Sequence, residues 1–175
     1  APMVRAVMAD AAMGFADLDR VAVTVGPGSF TGVRIGLAFA RALAVARSIP
    51  VLGLTTLEAL GASAPHDGLV CAVLVAGGGW HVQLFRDGAA LGAARFADSP
   101  EAVAAVAAAR APGEILRLVG PGAPAFGAPH PGAQVLDLLP DPIALARAVA
   151  DRAPPGDPPA ARYLRPPYPN LAERA

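Results

Sequence analysis

Apolar positions along the 175-residue chain switch between a helical and a strand-like period, and the switches mark the elements. Residues 2–12 read as a helix with Met3, Val7 and Met8 on one side, ended by Gly14. Residues 21–25 are a β-branched run of buried-strand length, broken by Gly26-Pro27-Gly28. Residues 31–47 read as a long helix closed by Pro50, and residues 51–54 as a second short strand. Thr55 or Thr56 then caps a helix to about Ala62, with Glu58 in its first turn.

A second unit starts after the Pro65-His66-Asp67-Gly68 break. Strands are expected over 69–76 and 80–85, and Asp87-Gly88 is a hairpin signal leading to a weakly patterned third strand over 89–96. Ser99, as cap, with Pro100 in first position, starts a helix to about Arg110. A strand over 115–119, a Gly/Pro/Ala loop over 120–132 and a strand over 134–138 follow. Asp141-Pro142 opens a last helix to about Arg152. The remainder is proline-rich and reads as extended, with Tyr163, Leu164 and Tyr168 available to clamp it.

Strands alternating with helices predict parallel β-α-β units, so the chain is α/β. The two halves match if the first has lost three opening strands. That predicts a duplicated, actin-like or RNase-H-like architecture with an N-terminally incomplete first lobe, so the chain is expected to begin inside that lobe. The expected division is residues 1–64 for the first lobe, 65–152 for the second and 153–175 for the tail.

Composition narrows the chemistry. All 14 basic residues are arginine, and the missing lysine excludes a Schiff-base enzyme and a Walker-A phosphate loop. The 14 acidic residues balance them, leaving no basic excess of the kind that grips nucleic acid directly. Cys71, the one cysteine, rules out an internal disulfide and reads as a small buried hydrophobe on a strand. His66, His81 and His130 lack metal-ligand spacing, no Ser stands in a GxSxG elbow, and Asp137 and Asp141 suit helix capping. No metal or cofactor is therefore expected. Arg34, Arg41 and Arg47 interrupt the longest apolar run, and residues 1–10 lack signal-peptide order, so a cytoplasmic, membrane-free protein is expected. The 42 alanines largely reflect a biased coding sequence.

The most informative stretch runs from Val25 to Gly36. Here a strand meets a glycine turn and then a helix. Gly26, Gly28 and Gly32 permit close backbone approach, Ser29 and Thr31 offer hydroxyls, and Arg34 offers a charged fork. This set could hold a phosphate, but it is neither a Walker A nor a GxGxxG, and a tight turn whose Ser or Thr caps the helix is the reading that generic rules favour. At about 100° per residue, Arg34 and Arg41 share one stripe of the helix that follows. Ile35, Phe39, Ala42 and Leu43 form a second arc, and Val33, Leu37, Ala40 and Ala44 a third. The apolar arc is too wide for one sheet face. The helix therefore either offers a side to a partner or lies between two lobes.

The run from Gly26 to Ala38, reading GPGSFTGVRIGLA, closely resembles the signature of the TsaB (YeaZ) family. The stretches from Phe15 to Val23 and from Ile49 to Leu60, and the Tyr163-Leu164-Arg165-Pro166-Pro167-Tyr168 ending, are similar to it as well. The resemblance implies an actin-like (ASKHA) fold. It implies a non-catalytic subunit in forming N6-threonylcarbamoyladenosine on ANN-decoding tRNAs, supporting a TsaD-type catalytic subunit beside a TsaE-type ATPase. It also implies a homodimer when alone, and tRNA met through the complex. The implied contact surface covers residues 1–13 and 32–47, with Met3, Val7, Ile35, Leu37, Ala38, Phe39, Arg41 and Ala42 at its centre. Two features depart from the family: its opening Asp-Thr strand does not precede this start, and Leu74 to Trp80 carries Gly77-Gly78-Gly79 where an Asp-Ala-Arg stretch is usual. The alternatives are an actin-like kinase or ATPase, which would need a metal-binding Asp and a second phosphate loop, and a plain homodimeric scaffold.

Overall fold

The computed structural model describes residues 2–164. Among them, two parallel-containing sheets are stitched together by helices. The first sheet pairs β1 (Val21–Thr24) with β2 (Val51–Leu54) in parallel, Val21 opposite Val51. A right-handed crossover is the usual way to join such strands, and helix α2 (Phe30–Arg47) is the crossover here. Because strand side chains alternate, each face of this small sheet takes a different helix. Val21, Val23 and Val51 pack under Ala40 and Ala44 of α2, whereas Ala22, Leu52 and Leu54 pack under Val149. Helix α1 (Pro2–Asp10) precedes them and buries none of its residues.

The second sheet is mixed. Strand β3 (Leu69–Ala76) forms an antiparallel hairpin with β4 (Gly79–Arg86), and runs parallel to β7 (Leu116–Val119), which pairs β8 (Gln134–Leu136). Leu69, Cys71 and Val73 on one face of β3 meet α4 (Ser99–Ala109) and the short α5 (Ala123–Phe126). Val70 and Ala72 on the other face meet Leu57 and Leu60 of α3 (Thr56–Ser63). The alternation predicted along 69–76 thus separates two cores.

Three local expectations change. The third strand over 89–96 is two pieces, β5 (Ala89–Ala90) and β6 (Arg95–Ala97), each pairing a different part of β4. Between them the Gly92 carbonyl accepts a hydrogen bond from Gln83 Nε2 at 2.9 Å, which holds the chain off the ladder. The cap of α4 is Asp98, whose Oδ1 accepts from the Glu101 amide at 2.9 Å; Ser99 instead accepts from Trp80 Nε1 at 3.0 Å. Of the two cap candidates for α3, Thr55 takes the place, in a reciprocal box with Glu58.

The third change concerns α6 (Pro142–Val149), which was expected to close the second lobe up to residue 152. It ends sooner and returns to the first sheet, where Val149 packs with Leu52 and Leu54. Arg20 donates to the carbonyls of Val149, at 3.2 Å, and of Ala150, holding the end of α6 against β1. Pro155, Pro159 and Arg162 lie beside the first sheet, and Leu164 packs in the cluster between α3 and the second sheet. Arg117, nearly buried on β7, donates to Asp67 Oδ2 at 2.9 Å and to its carbonyl, and so pins the 65–68 connection.

Candidate functional site

The glycine turn is built by backbone accounting. The Val25 amide donates to Leu54 at 2.8 Å, and the Gly26 carbonyl accepts from Thr56 at 2.9 Å, tying the turn to the end of β2 and the start of α3. Gly26 sits at φ +101°, where a side chain is strained, and a Cβ there would stand 2.7 Å from the Arg162 carbonyl oxygen. Ser29 Oγ accepts from the Gly32 amide at 3.3 Å and caps α2. Gly28, Ser29 and Gly32 line a cleft of about 520 Å³ that also meets Leu74 and His81 of the second lobe. Gly26, Thr31 and Arg34 do not line it.

The phosphate set is thus not brought together. The Arg34 guanidinium lies 3.6 Å from the centre of the Phe30 ring, and its Nε donates to the Tyr163 hydroxyl at 3.3 Å. Tyr163, from the chain's own tail, thus meets the guanidinium through one nitrogen. Tyr163 and Leu164 do clamp that tail: the Phe30 and Tyr163 rings stand 5.7 Å apart, and Leu164 packs against the Leu57–Leu60 cluster. Tyr168 lies outside the described residues.

Helix α2 resolves its arcs. Leu37, Ala40 and Ala44 are buried on the first sheet. Ile35 is 65% exposed, Phe39 36% and Val45 81%, with Ala38, Arg41 and Ala42 also at the surface. Leu37, expected among the partner-facing residues, is 5% exposed, because it shares the arc of Ala40 and Ala44 and takes a core place. On α1, Met3 is 79% exposed and Val7 60%. Sequence reasoning missed the tail's course along α2; the Arg34 and Arg41 stripe was its visible trace, since Arg41 Nη2 donates to the Pro159 carbonyl at 2.7 Å.

Elsewhere titratable groups serve structure. Burial pushes the Cys71 thiol up to about 12, far from a reactive thiolate. Burial, followed by the nearby Arg110, lowers His130 below the usual histidine range. A hydrogen bond from Arg117 lowers Asp67, and one from Arg86 lowers Glu114. Among the described residues, no three of His, Cys, Asp and Glu gather as a metal site would require, and no helix is long and apolar enough to cross a membrane.

The family model described as TsaD, tRNA N6-adenosine threonylcarbamoyltransferase, matches residues 1–126. An uncharacterised protein of Mycobacterium bovis is 51% identical over 69 residues, which is 39% of this chain and 33% of that protein. The tRNA threonylcarbamoyladenosine biosynthesis protein TsaB of Bacillus subtilis is 43% identical over 70 residues, 39% of this chain and 31% of that protein. These matches span about a third of the relatives' length. A Pseudomonas aeruginosa structure, of an uncharacterised protein with similarity to peptidase YeaZ, superposes with a TM-score of 0.76 at 25% identity. That superposition covers 94% of this chain and 82% of the other. The fold is accordingly actin-like (ASKHA).

Proposed function

The chain belongs to the family that the TsaD threonylcarbamoyltransferase model describes and stands in it with the TsaB (YeaZ) proteins; from that premise we propose that it works by contact, as a non-catalytic subunit in making N6-threonylcarbamoyladenosine on ANN-decoding tRNAs. Its partner in this reading is a TsaD-type catalytic subunit, with a TsaE-type ATPase in the same system. The tRNA is met through the complex, in the cytoplasm, and the chain pairs with itself when alone.

One observation carries the reading. Helix α2 is anchored by Leu37, Ala40 and Ala44, yet presents Ile35 and Phe39 to solvent on its outer side. Large apolar side chains on a rigid, well-anchored helix are what an interface core uses, and singly scattered ones would need no such explanation. Ala38 and Ala42 between them let a partner helix approach closely. Met3 and Val7 of α1 are exposed as well and form a second part of the proposed contact surface, and Arg41 borders the α2 face. The kinase alternative would need a metal-binding Asp and a second phosphate loop; Arg34 of the glycine turn's helix engages Phe30 and Tyr163.

The test is reconstitution of threonylcarbamoyl transfer to an ANN-decoding tRNA from purified TsaD-type and TsaE-type proteins. Adding this chain is expected to raise product formation, and the chain alone is expected to hydrolyse no ATP. Modification that proceeds equally without it, or steady ATP turnover by the isolated chain, contradicts the reading.

A further inference from the structure

Residues 153–164 follow a defined course. Pro159 meets Arg41, the Arg162 amide donates to the Val25 carbonyl at 2.7 Å, and Tyr163 meets Arg34. The two arginines stand seven residues apart, a rise of about 10.5 Å on a helix. Pro159 and Tyr163 stand four apart, about 13 Å of extended chain. These distances fit a segment lying extended along α2, running from its C-terminal half towards its N-terminus. Leu164 then reaches the cluster between α3 and the second sheet, so the segment touches both cores.

Two glycines make room for this crossing. A Cβ on Gly26 would stand 2.7 Å from the Arg162 oxygen, and one on Gly53 would stand 2.6 Å from Pro159 Cβ, and equally close to Val25. At its far end the segment completes a stack of three groups, Tyr163, Phe30 and Arg34. Phe30 opens α2 and follows directly on the cap Ser29. The first turn of the exposed helix therefore has its outer contacts from the tail, not from a sheet.

From this geometry we infer that residues 153–164 form a strap that fixes the Gly26–Gly32 turn and the first turn of α2, and so presets the face on which the partner docks. Tyr163 is a positioning residue in this arrangement. The docking half rests on the subunit reading above. A face already held in its bound shape binds more tightly, because ordering costs are met before association. Ring stacking plus one hydrogen bond at a half-exposed site sets the scale of the effect, about fivefold to tenfold in affinity.

Amide hydrogen exchange on the chain tests the strap directly. In Tyr163→Ala, amides within 26–34 are expected to exchange at least about fivefold faster, while those of β3 and β7 are unchanged. Tyr163→Phe keeps the ring and is expected to retain most of the protection; Arg41→Gln, which frees the strap at Pro159, is expected to lose part of it. Titration of the same variants with a TsaD-type subunit is expected to show affinity falling in the same order. Unchanged exchange over 26–34 in both Tyr163→Ala and Arg41→Gln overturns the strap. Faster exchange with unaltered affinity overturns its role in docking. Should the wild-type chain fail to bind, the subunit reading falls and the docking half with it, whereas the exchange comparison still decides whether the strap holds the turn.

Discussion

Helices α2 and α4 are both alanine-rich, both packed on a sheet, and differ in what they turn outward. Helix α4 buries Ala102 and Val106, and its exposed positions after Glu101 are Ala104, Ala107 and Ala108. Helix α2 buries Leu37, Ala40 and Ala44, and turns out Ile35, Phe39 and Val45. Both inner faces do the same work of covering apolar sheet. The outer faces differ by roughly 0.8 kcal/mol for every methylene that a partner could remove from water, and α4 has almost none to offer. Alanine content by itself therefore says little about binding; the large side chains set among the alanines distinguish a cover from a docking face.

The largest expected effect comes from charging the outer faces. The pair Ile35→Asp and Phe39→Asp should weaken binding to a TsaD-type subunit by about a hundredfold or more, on the scale of interface hot spots. Ala104→Asp and Ala108→Asp on α4 should leave that affinity within about twofold. Equal losses on both helices would erase the distinction between them. The inner faces give the next effect, in the chain alone. Leu37→Ala should cost about 2–5 kcal/mol of stability in denaturant melts, as core truncations do. Ile35→Ala, one turn-face away, should stay within about 0.5 kcal/mol, as exposed positions do. Similar costs for the two would mean that the outer face is already covered.

Both arcs of α2 were legible in the sequence, because periodicity alone separates Ile35 and Phe39 from Leu37 and Ala44. Which arc faces the sheet was not legible, since both are apolar and the choice depends on Val21, Val23 and Val51 arriving beneath one of them. The cap of α4 shows the same limit at short range. Asp98 and Ser99 are both good caps, and Trp80, distant in sequence, engages the Ser99 hydroxyl. Helix α6 was predicted as a helix, but nothing local says that Val149 meets Leu52 rather than the second sheet. In the glycine turn the residues pointed to a phosphate or to a cap; Ser29 caps, and Arg34 goes to a tyrosine from the far end of the described chain. The strap was least visible, because two of its bonds are accepted by backbone carbonyls, which leave no mark on residue type.

The smallest effect is on pH, and it concerns the second lobe, where α4 lies. Asp67 and Glu114 have carboxyls lowered by their arginine partners, so each contributes stability that is present above the ordinary carboxylate range near pH 4 and lost as pH falls through the lowered folded value. His130, also lowered, adds stability above its ordinary value near 6.5 that is lost on acidification in the same direction. Melting temperature should therefore decline modestly from pH 7 towards 5 and again below 4. Arg117→Gln should flatten the lower part of that decline, since it removes the partner of Asp67. A melting temperature that rises on acidification would contradict these assignments.

Hydrogen exchange of the complex with a purified TsaD-type subunit tests the central claim most directly, because it reads α2 and α4 in one experiment. The account predicts that binding slows exchange over residues 30–47 and leaves 99–109 as in the free chain. No complex at micromolar concentrations, or protection on α4 with none on α2, would contradict it.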